Sequence, residues 1–213
     1  MNVKNKVIVL TGASEGIWEQ IALRLAKEGV KLALVARNGE KLAAVAKQAE
    51  SLWVQEVKIY AQDLSKTDKL SKLVEQIIAD FWGVDVLINN AGSWIKMWPL
   101  DETNPDMIDQ VIATNLSSVI RLTQSLLPAL RKKEDAAIIN ISSKAWVVPQ
   151  AWMSVYSATK YGMRWFTDVL KEDLKGTNVR VAGVYQAWIK TSMLANGGET
   201  ASMPIEKFSD PAD

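Results

Sequence analysis

The chain has 213 residues, 48% of them hydrophobic, and its 25 basic and 24 acidic side chains leave a net charge of +1. That balance carries no electrostatic footprint for nucleic acid, and the length suits one sizeable domain, expected to span 1–213. With neither cysteine nor histidine, the chain has no disulfide, no thiol nucleophile, no Ser-His-Asp triad and none of the usual Cys- or His-containing metal sites.

Lys6 to Thr11 (KVIVLT) is a short β-branched run closed by Gly12 and predicts a buried strand. Ile17 to Gly29 follows with Ile21, Ala22, Leu25 and Ala26 at helical spacing. The pattern then alternates: strand at 31–36, helix at 40–52, strand at 57–61, helix at 66–81 and strand at 84–88. A long helical stretch at about 105–130, a strand at 137–141, a helix at 155–175 and a strand at 179–185 complete it. Such alternation predicts an α/β, Rossmann-like, doubly wound, mostly parallel sheet with helices on both faces. Ligands of such folds sit beyond the carboxyl ends of the strands. Gly12, Arg37, Asp63, Asn89, Ser143 and Gln186 all fall there. No apolar run is long enough to span a membrane, and Met1 to Lys6 lacks a signal-peptide pattern, so the expected location is cytoplasmic.

Any acid or base must come from Tyr, Lys, Asp or Glu. Tyr156 and Lys160, four apart in the penultimate predicted element, share a helix face. A nearby positive charge favours phenolate, so Tyr156 is expected to titrate below its ordinary value of about 10. Ser143, ending a strand, can place a hydroxyl beside a substrate carbonyl oxygen. In the first strand-helix turn, Thr11-Gly12-Ala13-Ser14-Glu15-Gly16-Ile17 has glycines that let the backbone approach a pyrophosphate at a helix N-terminus.

Thr11-Gly12-x-x-x-Gly16, Asn89-Asn90-Ala91-Gly92, Asn115, Ser143 and Tyr156-x-x-x-Lys160 occur in one order over nearly the whole chain. In this ordered set the chain resembles the short-chain dehydrogenases/reductases. The resemblance implies hydride transfer between a nicotinamide cofactor and a small carbonyl or alcohol substrate. It implies Tyr156 as general acid/base, Lys160 lowering its pKa and holding the nicotinamide ribose, Ser143 polarising the substrate oxygen, and Asn115 anchoring a water relay to Lys160. Gly12, Ser14, Gly16, Ile17, Asp63, Leu64, Asn89, Ala91, Gly92, Ile189 and Thr191 would line the cofactor cleft. Arg37, where an acidic residue would select NAD, favours NADP, while Glu15 opposes that choice. Homo-oligomers, dimers or tetramers, built through the helices of 105–130 and 155–175 are also implied.

Three departures accompany the resemblance. Trp18 stands where the family has a third glycine, and Trp82, Trp146 and Trp165 also fall at common glycine positions, so that nine tryptophans outnumber three phenylalanines and four tyrosines together. Overpacking costs about 1–3 kcal/mol per site. The pattern fits either an altered sequence with a blocked cleft and no activity, or an aromatic pocket for an apolar substrate. Gln186-Ala187 replaces the usual Pro-Gly. The usual last helix and strand are missing after Asp213, and 193–213 reads as a lid or a mobile end.

Overall fold

The computed structural model describes residues 1–94, 98–143 and 151–186. Six strands form one sheet: β1 (Val7–Thr11), β2 (Lys31–Ala36), β3 (Glu56–Ala61), β4 (Val86–Asn89), β5 (Ala136–Ser143) and β6 (Val179–Gln186). They lie in the order β3-β2-β1-β4-β5-β6, every pair parallel. Between them run α1 (Ile17–Ala26), α2 (Gly39–Glu50), α3 (Leu70–Phe81), α4 (Pro105–Ile112), α5 (Ser118–Leu130) and α6 (Ser154–Asp173). The expected α/β doubly wound sheet is therefore present.

Pleating explains why central strands read as unbroken apolar runs. On β1, Val7 and Val9 face a core formed with α3, α5 and α6, while Ile8 and Leu10 face a second core under α1 and α2. A strand covered on both faces needs apolar residues at every position. The strand order reverses between β1 and β4, and the crevice at such a switch point is where this architecture binds ligands. Residues 187–213, which include the expected lid, lie outside the described residues.

The stretch predicted as one helix over 105–130 is broken by a π-helical turn at Ala113–Ser117. Asn115 sits inside it, fully buried.

Trp53, Trp82, Trp152 and Trp165 are exposed, so the expected crowding is absent at these positions. The cost at two of them lies in the backbone: Trp82 ends α3 at φ 59° and Trp152 has φ 61°. Left-handed backbone costs an L-residue roughly 1–2 kcal/mol. Trp146 and Trp188 are outside the described residues.

Candidate active site

A cleft of about 1030 Å³ opens at the carboxyl ends of β1, β2 and β4, at the upper end of the roughly 300–1,000 Å³ of ligand pockets. Gly12, Ser14, Gly16, Ile17, Arg37, Asp63, Leu64, Ala91, Gly92, Tyr156 and Lys160 all line it. Its glycines have steric reasons. At Gly12, with φ 72°, a Cβ would meet Asn90 Nδ2 at 2.7 Å and the Ala91 Cα at 2.9 Å. Gly16, φ 70°, caps α1 without any side-chain hydrogen bond, leaving the first-turn N–H groups facing the cleft as anion donors.

The end of β4 is tied to the end of β1. Thr11 Oγ1 accepts the N–H groups of Asn90 at 2.9 Å and Ala91 at 3.0 Å, and Asn90 Nδ2 donates to the Thr11 carbonyl at 2.9 Å. Asn89 points the opposite way and does not line the cleft. Its Nδ2 donates to Asn140 Oδ1 at 2.9 Å and Thr123 Oγ1 at 3.2 Å inside the sheet-helix layer. The reading of Asn89 as a cleft residue is therefore corrected to Asn90, because successive strand residues alternate in direction.

Tyr156 and Lys160 come together because α6 buries one stripe: Tyr156, Lys160, Met163, Thr167 and Leu170. This spacing is the inward face of a helix. Lys160 is 6% exposed, its Nζ lies 5.7 Å from the Tyr156 ring centroid, and burial holds its ammonium down to about 8. Tyr156 departs from expectation. Burial pushes its phenol up to about 12, even though the hydrogen bond with Ser143 acts in the opposite direction. A desolvated phenolate is penalised more than this hydrogen bond favours it. Ser143 thus reaches Tyr156 from the end of β5, although it is not part of the cleft lining.

Asn115 acts as a clamp. Its Oδ1 accepts the Ser93 N–H at 2.7 Å, and its Nδ2 donates to the Ser93 carbonyl at 2.9 Å and to Thr159 Oγ1 at 3.3 Å. The side-chain amide is therefore bonded to both Ser93 and Thr159. Gly92 lies between these groups: a Cβ there would sit 3.6 Å from both Asn115 Oδ1 and Lys160 Nζ.

At the far end of the cleft, burial raises the Asp63 carboxyl, but hydrogen bonds from Ser65 and the charges of Arg37 and Lys66 bring it below the usual range. Sequence reasoning missed Lys41, Gln62 and Thr114, which also line the cleft. Lys41 had a signal, a basic residue in the first turn of the helix that follows Arg37. Its Nζ pairs with Glu15 Oε2 at 2.5 Å. Trp18 lines the cleft and packs partly buried against the α1–α2 core, leaving the volume beside it open. Ile189 and Thr191 lie outside the described residues.

A parallel sheet in this order, with a glycine-lined crevice at its switch point, defines a Rossmann-like fold. The short chain dehydrogenase family model matches residues 6–202, and the chain belongs to the short-chain dehydrogenase/reductase family of NAD(P)-dependent oxidoreductases. It is 34% identical to an uncharacterized oxidoreductase of Staphylococcus saprophyticus, over 90% of this chain and 77% of the relative. It is 29% identical to the 3-oxoacyl-[acyl-carrier-protein] reductase FabG of Thermotoga maritima, over 100% of this chain and 88% of that protein. A short chain dehydrogenase from Burkholderia cenocepacia in complex with NADP superposes with a TM-score of 0.88 at 28% identity, covering 100% of this chain and 88% of the other.

Proposed function

We propose that this chain interconverts a carbonyl and an alcohol with NADP(H), Tyr156 exchanging the proton at the substrate oxygen. The observation that carries this reading is that Tyr156 and Lys160 of α6 both line the glycine-lined cleft, with Ser143 of β5 hydrogen-bonded to Tyr156. The residues fit a dinucleotide. Gly12, Gly16 and the open N-terminus of α1 accept a pyrophosphate, and Asp63, Leu64, Asn90 and Ala91 border the adenosine side. The buried Lys160 ammonium, which no described carboxylate neutralises, holds the ribose hydroxyls next to Tyr156. When bound, the nicotinamide supplies or accepts the hydride.

The choice of NADP rests on charge. Arg37 and Lys41 both border the cleft, and the acidic residue that argued against a phosphate, Glu15, is paired with Lys41. Ser143 orients the substrate oxygen, and Asn115 supports the loop at Ser93. The same reading takes the chain as one cytoplasmic domain that forms a homo-oligomer. Tyr161, Trp165 and Val169, each four apart and exposed on α6, form the apolar row on which a second copy packs.

Trp18 motivates a second reading, a catalytically silent relative with an obstructed cleft. Titration with NADPH and NADH, followed by tryptophan fluorescence, separates the two. Saturable binding by the unmodified chain, tighter for NADPH, supports the enzyme. Binding that appears only in Trp18→Gly supports the silent relative. With a panel of small ketones and 3-oxoacyl thioesters, Tyr156→Phe is expected to lower turnover by about 10²–10⁴-fold while NADPH binding is kept.

A further inference from the structure

All strand pairs are parallel, so each loop leading from a helix into a strand lies at the end of the sheet opposite the cleft. That face presents two tryptophans to solvent. Trp53, between α2 and β3, is 79% exposed, and Trp82, between α3 and β4, is 91% exposed. β3 and β4 stand three strands apart in the sheet order, roughly 14 Å at the usual strand spacing. The ground between the indoles is basic. A Cβ on Gly29 would lie 3.8 Å from the Trp53 carbonyl oxygen and 3.7 Å from Lys4 Cγ, and one on Gly83, beside Trp82, would lie 2.9 Å from Lys133 Nζ. Lys6 and Lys133 meet on Asp85 at 3.1 and 3.6 Å. In the same loops Lys4, Lys27, Arg131 and Lys132 are exposed with no ion-pair partner among the described residues, and the exposed acids there are Glu28 and Glu134.

We propose that this face docks on an anionic lipid bilayer, with Trp53 and Trp82 entering the interface and the basic side chains between and beside them meeting headgroup phosphates. Basic residues are ordinary at helix C-termini, where they offset the helix dipole. Exposed indoles are not. Trp82 ends α3 at φ 59°, a left-handed conformation that an L-residue adopts at a cost, and it buries almost nothing. A side chain that strains the backbone and stands in water points to a partner. The distribution of charge selects which partner. A protein interface gathers its apolar side chains into a desolvated centre from which charges are depleted. Here two separate indoles have lysines between them. A lipid interface accommodates both, because an indole seats its ring at the headgroup level and Lys or Arg reaches the phosphates beside it. Docking of this kind is peripheral, and no described helix is long and apolar enough to cross a membrane. It leaves the cleft, at the carboxyl ends of the strands, facing away from the bilayer.

The test is co-sedimentation of the full chain with vesicles, one set of phosphatidylcholine alone and one an equal mixture with phosphatidylserine. The unmodified chain is expected to bind the mixed vesicles, to bind phosphatidylcholine far less, and to lose most of its binding at about 0.5 M salt. Two double variants, Trp53→Ser with Trp82→Gly and Arg131→Gln with Lys132→Gln, are each expected to weaken binding to the mixed vesicles by about tenfold or more. Both should keep the circular dichroism of the unmodified chain. Failure of the unmodified chain to bind mixed vesicles overturns the proposal, as does undiminished binding by either folded double variant. A drop in particle mass by light scattering in the tryptophan variant, with no vesicle binding by the unmodified chain, overturns it in favour of a second copy as the partner. If the tryptophan variant does not fold, Trp53→Ser alone takes its place, with a smaller loss of binding expected and none overturning the proposal. Vesicle binding needs neither substrate nor cofactor, so its outcome stands apart from the enzyme reading.

Discussion

Asp85 and Lys160 are both buried charges at the ends of parallel strands, and their surroundings differ. At the amino ends, Asp85 meets Lys6 at 3.1 Å and Lys133 at 3.6 Å and accepts the Val7 N–H at 3.0 Å. At the carboxyl ends, Lys160 has no described carboxylate, and burial alone displaces its titration. A buried charge left unpaired destabilises a fold, so its presence marks a place where something other than stability is served. One end of the sheet is compensated for folding, and on the proposed function the other keeps charge for a ligand.

The sharpest test of this contrast is Lys160→Met. Burial lowers the ammonium from 10.5 to about 8, so the unfolded chain binds its proton more tightly than the folded one. The penalty is full below about pH 8, shrinks as pH rises and is gone above about 10.5. Lys160→Met should therefore gain about 3 kcal/mol of stability near pH 7, an upper estimate, and lose that gain on going alkaline. Denaturant melts at several pH values measure it, and NADPH binding should weaken in parallel. A loss of stability at pH 7 would break the contrast.

Asp85→Ala should act in the opposite direction, costing about 2 kcal/mol in the same melts. It strands the Val7 amide, while the partly exposed Lys6 and Lys133 recover hydration and moderate the cost. Cofactor affinity should hardly change, since the cleft lies at the other end of the strands. The smallest effect is expected at Trp82→Gly. Trp82 is 91% exposed with φ 59°, so glycine relieves the left-handed backbone and gives up little burial. A gain of about 1 kcal/mol is expected from thermal or denaturant unfolding.

Much of this was legible in the residues. KLALVA is read as the strand over 31–36 because Leu32 to Ala36 form an unbroken apolar run, as a strand buried on both faces requires. The inward face shared by Tyr156 and Lys160 follows from helical spacing. The choice between Asn89 and Asn90 is also local, since strand alternation sends one inward and the other to the cleft, but it needs the strand's last residue to be known. The π turn at Ala113–Ser117 had no signal in its residues, because its context is the hydrogen bonding of Asn115 to a loop 22 residues earlier.

The chain's own pattern therefore determined the element order, the parallel sheet, the glycine turn and the helix face that Tyr156 and Lys160 share. These follow from periodicity and backbone sterics, which act over a few neighbouring residues. The tertiary structure alone decided the titration of that pair. The expected ammonium effect on Tyr156 is outweighed by burial under Trp94, Met153 and Val111, residues brought from three separate segments. Desolvation depends on everything packed around a group, and sequence spacing records only what lies beside it along the chain.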